Sequence, residues 1–394
     1  MKWYRLNESN RVILIIMRKL IICFLYLFFL QGFVNAQHSQ NVNCKATDKI
    51  RKGIAAQFPG DEGIENHKSV VFAEKFEAES LEEVIKNWTS NQGAEDHRLA
   101  LDVITGPDGS ADNKSLKMSI LRNKEGAGSE LRKVLEKGHD LLFFRFYVKF
   151  ADDFGFNHHF TSIEGDLNPA PWSKGGAGLR PVDRFNITID QSIKSLDGTE
   201  TTPPGYWMFY SYWPEMHSWQ TGEGKPDGRP NPYYGNVFMP EKPIAANRGV
   251  WQCIEIMIRL NSAPDKTDGA QAFWIDGKLA GSWDPLDENP VEGYMLRGTF
   301  RTDSYGESKP FAGIKWRCSE NAENFDNTKL NIIRLQNYVS EDTWKQAERY
   351  VKDHPGFKID LKEATVWQDH VVVATEYIGP VEPRMSTGNL PLMK

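Results

Sequence analysis

The sequence predicts an all-β protein, a β-sandwich of the jelly-roll type with one helix in its C-terminal half. In residues 251–261, isoleucine and leucine at every second position alternate with mostly polar residues, the period-two pattern of a half-buried strand. In residues 272–283, the pair Asp276-Gly277 stands between two apolar runs and predicts a tight hairpin. Many short strands with few helical patterns favour a sandwich over a mixed fold.

The other strands are predicted from the same alternation. It is clearest in residues 140–150, where large apolar residues occupy every even position from 142 to 148. Turn residues at 106–109 separate two of the shorter segments. The remaining predicted strands are residues 70–76, 99–104, 115–122, 130–135 and 367–378.

One helix and two long loops complete the predicted domain. Residues 340–354 predict the helix, because Ser340 can cap its first turn and Pro355-Gly356 ends it. The segments 166–184 and 222–236 are rich in Gly and Pro and predict long loops. Long loops on a rigid sandwich usually shape a binding site.

The N-terminal residues predict export. Arg18 and Lys19 precede an apolar stretch, and small residues at 34–36 suit signal cleavage before Gln37. The alternative is an uncleaved anchor, although the stretch is short for a membrane span. We expect a secreted, periplasmic or cell-surface protein that contacts no membrane after cleavage. The predicted boundaries are a signal peptide at 1–36, an N-terminal arm at 37–69, a β-domain at 70–380 and a tail at 381–394.

Charge argues against a nucleic-acid partner. Removing residues 1–36 takes away five basic residues and one acidic residue, so the formal charge changes from -6 to -10. An acidic protein repels nucleic acid, and it must cluster its basic side chains locally to bind an acidic polymer. The oligomeric state does not follow from these features.

Three cysteines remain after the predicted cleavage: Cys44, Cys253 and Cys318. Export permits disulfides, but the number is odd and no spacing predicts a zinc site. A bridge between Cys253 and Cys318 and a pair of buried thiols are equally compatible with the sequence.

Several motifs resemble the concanavalin A-like jelly rolls, and among them the secreted polysaccharide lyases of the alginate-lyase type. The segments 251–261 and 274–278 resemble the fold family, and Ser129-Glu130-Leu131-Arg132 is similar to the Arg-Ser/Thr-Glu-Leu-Arg strand of the lyases. The first Arg of that strand is Gly128 in this chain. The Gln-Ile-His strand of the family has its nearest counterpart in residues 158–164, and the Tyr-x-Lys motif is absent.

The resemblance implies β-elimination on an acidic, uronate-containing glycan. Such a lyase neutralises the substrate carboxylate, removes the neighbouring proton with a base, and protonates the leaving oxygen with an acid. Arg132 with Arg180 is expected to hold the carboxylate, and His158 or His159 to neutralise it or act as base. Each of these residues also has a structural interpretation, such as an ion pair on a strand or a histidine in the core.

The acid or base is expected from the aromatic segment 206–215, where Tyr210 and Tyr212 share one strand face. Their hydroxyl groups could instead bind loop backbone. Aromatic and charged residues of the same strands and loops are expected to contact the glycan. These predicted substrate-binding residues are Glu130, Lys174, Arg180, Arg184, Trp213, Glu255 and Arg259.

Two other functions stay open at this point. A glycoside hydrolase needs two carboxylates, and Glu164-Gly165-Asp166 supplies two members of a laminarinase-type motif whose third member is missing. A lectin-like binding protein needs only aromatic platforms with polar rims. No cofactor is required by any of these functions. The sequence predicts no metal at the active site, and scattered Asp and Asn residues permit a structural calcium ion without forming a ligand loop.

Overall fold

The computed structural model describes residues 52–122, 128–172, 174, 178–218, 233–287, 293–296, 305–307, 313–317 and 323–384. The predicted signal peptide at 1–36 lies outside these ranges, as do Cys44 and Cys318. Cys253 is buried and forms no disulfide with a described residue. None of the described helices is both long enough and apolar enough to cross a membrane.

The described residues form eighteen strands and two α-helices. The helices are α1 (Leu81–Lys86) and α2 (Glu341–Asp353). In chain order the strands are β1 (Val70–Glu74), β2 (Ser90–Gln92), β3 (Leu99–Val103), β4 (Lys114–Leu121), β5 (Ser129–His139), β6 (Leu141–Phe150), β7 (Ser162–Asp166), β8 (Arg184–Ser192), β9 (Gly205–Tyr212), β10 (Asn236–Pro240), β11 (Ala245–Ala246), β12 (Trp251–Arg259), β13 (Ala270–Ile275), β14 (Lys278–Trp283), β15 (Gly293–Leu296), β16 (Tyr305–Glu307), β17 (Leu330–Asn337) and β18 (Glu363–Ala374).

The strands pair into two antiparallel sheets. The eight-stranded sheet has the order β14-β13-β12-β6-β18-β4-β3, with β1 beside β18. The ten-stranded sheet has the order β16-β15-β10-β9-β8-β7-β17-β5-β2, with β11 beside β9. The order is not sequential, since β17 inserts between β5 and β7, and β18 between β6 and β4. The predicted all-β jelly-roll sandwich is therefore confirmed.

The main core lies between the two sheets. The even-numbered apolar residues of β6 face it, and Phe144 and Phe146 are fully buried there. Ile187 on β8 and Phe209 on β9 contribute from the ten-stranded sheet. The period-two alternation of these strands thus produces one continuous apolar layer.

The other side of the eight-stranded sheet is covered by the two ends of the described chain. Three 3-10 turns, Ile54–Gln57, Pro59–Asp61 and Ile64–Asn66, pack there with residues 377–381. A buried ion pair joins Asp61 to Arg145 of β6. Because this face is covered, Phe143, Arg145 and Tyr147 of β6 are buried too, and the strand is not half-exposed as its pattern suggests.

The local predictions hold with two differences. Asp276 and Gly277 take φ values of 50° and 76°, the left-handed geometry of a two-residue hairpin between β13 and β14. Ser340 accepts a hydrogen bond from the backbone N–H of Thr343 at 3.3 Å and caps α2, as predicted. The last strand ends at Ala374, because Tyr377 and Ile378 leave the sheet and accept hydrogen bonds from residues 54 and 55. The second difference is α1, since the acidic residues 77–88 predict only a helical turn or a loop and the structure forms a six-residue helix there.

Candidate active site

The outer face of the ten-stranded sheet carries most of the polar side chains that could do chemistry. Strand register places a set of residues directly opposite one another across six strands. We call it the Ser90–Tyr210 row, and its members are Ser90 on β2, Arg132 on β5, Arg334 on β17, Ser162 on β7, Thr188 on β8 and Tyr210 on β9. Residues opposed in this way have neighbouring side chains on one face of the sheet.

Two arginines and two glutamates form a charge cluster near one end of this row. Glu164 lies 3.1 Å from Arg132 Nη1 and 3.0 Å from Arg334 Nε, and Arg334 Nη1 lies 3.5 Å from Glu130. Ser162 Oγ donates a hydrogen bond to Glu164 Oε1 at 3.0 Å. Glu130 and Arg132 lie two residues apart and share one face of β5, but Arg132 pairs with Glu164 of β7 and Glu130 with Arg334 of β17.

The cluster keeps Glu164 ionised. Burial acts to raise its pKa, but the charges of Arg334 and Arg132, with hydrogen bonds from Arg132 and Ser162, outweigh burial and lower the pKa. Burial likewise acts to lower the pKa of Arg334, and the charges of Glu164 and Glu130 raise it overall. Glu164 is therefore an anion at neutral pH and does not serve as a proton donor.

Arg132 is enclosed beneath the surface. Its side chain is 1% exposed, whereas that of Arg334 is 13% exposed. Arg132 Nε donates a hydrogen bond to the backbone oxygen of Ala170 at 3.2 Å, so the loop after β7 covers it. The structure thus gives Arg132 a positioning contact with Glu164 and this loop, and it leaves Arg334 as the guanidinium closer to solvent.

The two histidines lie side by side where the chain enters β7. Their ring centroids are 4.3 Å apart, so they do not point to opposite faces as an extended segment would require. A β-bridge joins His159 to Tyr338, and the His159 ring stacks on that tyrosine at 6.2 Å. Partial desolvation and the neighbouring His159 lower the pKa of His158, although the residue is exposed. His158 is therefore neutral at pH 7.

Asp190 holds His159 in a defined orientation. Its Oδ2 lies 3.3 Å from His159 Nδ1, and its Oδ1 accepts a hydrogen bond from the backbone N–H of Phe160 at 2.6 Å. A carboxylate beside Nδ1 favours the tautomer with the proton on that nitrogen, which leaves Nε2 as the acceptor. The His159 side chain is 33% exposed, and the Asp190 side chain is buried.

The tyrosine pair borders His159. Tyr210 has its ring centroid 5.3 Å from that of His159, and its hydroxyl lies 3.5 Å from that of Tyr212. A side chain at Gly235 would collide with the Tyr210 ring, so the glycine permits this packing. Burial raises the pKa of both phenols, and the nearby Asp190 charge adds to the effect. Both tyrosines are consequently protonated at neutral pH and suit an acid better than a base.

The predicted cationic loop residues lie where β7 ends and β8 begins, in the interior of the same sheet. Lys174 Nζ lies 2.6 Å from Asp166 of β7 and donates to the backbone oxygen of Asn168 at 2.7 Å. Arg184 begins β8 directly opposite Asp166. Arg180 is half-buried in the loop between these strands. All three lie at or between these ends of β7 and β8, and their contact with a glycan stays a prediction.

Three predicted substrate contacts are not supported by their positions. Trp213 is buried in the core against Phe238 and Trp316, because it lies on the inward-facing side at the end of β9. Glu255 and Arg259 lie on β12 of the other sheet. Glu255 accepts hydrogen bonds from the backbone N–H groups of residues 378 and 379, and Arg259 pairs with Asp284. These groups stabilise the covered face and cannot meet a ligand bound beside His159.

Sequence reasoning missed Asp190, Arg334 and Tyr338. The first lies on β8, where residues 184, 186, 188, 190 and 192 are all polar and alternate with core residues, a pattern that predicts a strand with one polar face. Arg334 and Tyr338 follow the same alternation in and after β17. The pattern was present, but only the insertion of β17 between β5 and β7 brings these residues to the histidines.

The described residues contain no group of three or more His, Cys, Asp or Glu side chains that could hold a metal ion. One buried carboxylate with polar neighbours is Asp369, whose Oδ2 accepts hydrogen bonds from Asn113 Nδ2 at 2.6 Å and Ser115 Oγ at 2.7 Å. That carboxylate already has protein donors. A structural calcium ion therefore stays a prediction.

Comparison with known proteins finds similarity at the level of the fold. Neither a protein-family model nor a curated protein sequence matches the chain. Among solved structures, an alginate lyase in complex with an alginate trisaccharide is 10% identical with a TM-score of 0.43, covering 78% of this chain and 99% of that chain. An endo-beta-1,4-glucuronan lyase from the fungus Trichoderma reesei is 12% identical with a TM-score of 0.42, covering 81% and 100%.

A laminarinase from a Flavobacterium species is 11% identical with a TM-score of 0.37, covering 77% of this chain and 99% of that chain. The chain thus resembles jelly-roll polysaccharide lyases and glucanases in fold at low identity. A similar fold does not transfer an activity.

Proposed function

We propose that this chain is a polysaccharide lyase that cleaves an acidic, uronate-containing glycan by β-elimination. The observation that carries the proposal is the placement of His159 between the Asp190 carboxylate, 3.3 Å away, and the Tyr210 ring, on the polar face that also holds Arg334. A base, phenolic acids and a cation are the groups that this elimination requires. Export from the cell stays a prediction.

The Asp190 contact of His159 and the raised pKa values of the two phenols support the following roles. His159 Nε2 removes the proton from the carbon beside the uronate carboxylate. The electron pair of that C–H bond forms a carbon–carbon double bond, and the bond from the adjacent carbon to the glycosidic oxygen breaks. Tyr212 is the more accessible phenol, and it donates its proton to the departing oxygen. A tyrosine base would have to be ionised, which its raised pKa opposes at neutral pH.

In this proposal Arg334, rather than the buried Arg132, binds the carboxylate of the substrate uronate. Negative charge develops on the carboxylate as the proton leaves, and a guanidinium aimed at it stabilises that charge. Arg334 is held by Glu164, Glu130 and Ser162, so its position is fixed before substrate binds. Pre-positioned donors lower the barrier without a reorganisation cost during the reaction.

The geometry favours this function over hydrolysis. A hydrolase needs one protonated carboxylic acid among its pair. Glu164 has a lowered pKa between two arginines, and Asp166 pairs with Lys174. Of the two carboxyls in the incomplete motif, Glu164 is thus not suited to donate a proton, and the Asp166 carboxylate is engaged by Lys174.

The test incubates the purified chain with a panel of uronate polymers, including alginate and glucuronan. New ultraviolet absorbance from an unsaturated product, lost in Arg334→Met and retained in the control Arg349→Met on the exposed side of α2, supports the lyase. New reducing ends without that absorbance would replace the proposal with a hydrolase. Retardation in a glycan-containing gel without cleavage would replace it with a binding protein.

A further inference from the structure

Trp172 is the exposed tryptophan of the described residues. Its surface is 68% accessible, whereas the other described tryptophans are buried or half-buried. Tryptophan offers a large apolar ring face, and removing such a face from water is favourable. A single exposed apolar residue is common and means little without further observations. The backbone before Trp172 is tethered to two strands, and these strands place the residue at one end of the polar face.

The backbone before Trp172 is fixed by side chains of two strands. Arg132 Nε of β5 donates to the oxygen of Ala170 at 3.2 Å, and Ser90 Oγ of β2 donates to the oxygen of Pro171. Lys174, two residues beyond the tryptophan, is tied to Asp166 at 2.6 Å. The backbone that leads into the tryptophan is thus held by two strands, which reduces the entropy lost when a ligand binds.

These tethers also locate the ring relative to the proposed chemistry. Ser90 and Arg132 are the first two members of the Ser90–Tyr210 row, and Tyr210 at its other end contacts His159. From β5 to β9 the row crosses four strand spacings, or roughly 19 Å at about 4.8 Å each. The tryptophan therefore stands at one end of the polar face, several sugar units from the reacting bond.

We propose that Trp172 is a distal subsite, on which one pyranose ring of the bound glycan stacks while another ring is cleaved beside His159. The C–H bonds on the flat side of a pyranose meet the electron-rich face of the indole, and the polar rim of the sugar stays in water. The glycan then runs across the strands and the site takes an internal stretch of the polymer. This inference rests on the proposed function, because it places the glycan on the same polar face of the ten-stranded sheet.

The test compares three variants on alginate and glucuronan, each as polymer and as trisaccharide. Trp172→Ala is expected to raise KM for the cleaved polymer about tenfold, equivalent to about 1.4 kcal/mol, with kcat nearly unchanged. Trp172→Phe keeps an aromatic face and is expected to recover most of the loss. Leu286→Ala is the matched control, because Leu286 is 65% exposed and follows β14 of the other sheet.

Trisaccharide cleavage is expected to be the same in wild type and Trp172→Ala, because the ligand is too short to reach from His159 to the tryptophan. Retardation of each variant in polymer-containing gels gives a second readout that needs no turnover. If wild type cleaves or binds a polymer and Trp172→Ala does so equally well, the subsite is wrong and the lyase proposal stands. An equal loss on polymer and trisaccharide would also overturn the subsite. If wild type neither cleaves nor binds either polymer, the proposed function itself fails.

Discussion

Replacing Asp190 with asparagine tests the base directly. The change keeps the shape of the side chain, and the Asn oxygen can still accept the Phe160 N–H bond that Asp190 accepts at 2.6 Å. The amide NH₂ then faces His159 Nδ1, which lies 3.3 Å from the replaced oxygen. A donor at that position favours the tautomer with the proton on Nε2, and the proposed base loses its acceptor.

The expected loss follows from the contribution of a positioned base. General-base catalysis is worth about 10²–10⁴ in rate, so kcat should fall at least a hundredfold, which raises the barrier by about 2.7 kcal/mol or more. Thermal unfolding should shift by only a few degrees, because the buried hydrogen bond to Phe160 survives. The assay is the initial rate of unsaturated-product formation, measured beside thermal melting.

Asp265→Asn provides the control, since Asp265 is exposed in the loop between β12 and β13 on the other sheet. It should leave both kcat and melting unchanged. A near wild-type kcat in Asp190→Asn, on a polymer that the wild type cleaves, would refute the assignment of His159 as an oriented base.

Three further outcomes are expected. Tyr212→Phe should lower kcat about a hundredfold or more with little change in KM, because the phenol acts on the leaving oxygen in the transition state. An unchanged kcat in steady-state kinetics would remove Tyr212 from the mechanism. Glu164→Gln should lower the free energy of unfolding by about 3 kcal/mol at pH 7, because Arg132 loses its buried counter-charge. The folded-state pKa of Glu164 is lowered from 4.5, so the stabilisation from its charge is present above pH 4.5 and is lost as the pH falls through the folded-state pKa. Urea unfolding should therefore show that the difference in unfolding free energy between Glu164→Gln and wild type shrinks below pH 4.5. A difference that stays constant with pH would contradict the lowered pKa. Asp61→Ala should lower the free energy of unfolding by about 3–5 kcal/mol, because Arg145 then stays buried without its counter-charge. The exposed control Lys345→Gln should change the free energy of unfolding by less than about 1 kcal/mol. Equal effects of the two variants in denaturant unfolding would show that the buried pair does not hold the terminal segment.

Local sequence patterns predicted much of the sandwich correctly. The alternation in β6 and β12, the Asp276-Gly277 hairpin and the Ser340 cap each depend on residues that are close in the chain. The phenols of Tyr210 and Tyr212 were placed on the face opposite Phe209 by the same alternation, and the structure has them there. These features follow from local geometry, in which side chains of a strand point alternately to its two faces.

The candidate site could be predicted only in part, because its members come from strands distant in sequence. Glu164 and Arg334 are neighbours because β17 pairs with β7, and no local pattern indicates that pairing. Arg132 is likewise expected to face a substrate from its own strand alone. The loop after β7, which is distant in sequence, covers it. Which face of a strand is polar could be read from the chain, but which strands lie side by side could not.

The amino-acid order by itself determined where strands, the hairpin and the capped helix form, because those preferences act over a few residues. Tertiary structure decided which polar face is open and which is covered. Arg145 on β6 and Glu255 on β12 occupy the polar positions of their alternating strands, which predicts exposure. The two ends of the described chain nevertheless cover both residues. His159 acquires a carboxylate partner only when β8 lies beside β7, since the contact joins residues 31 positions apart.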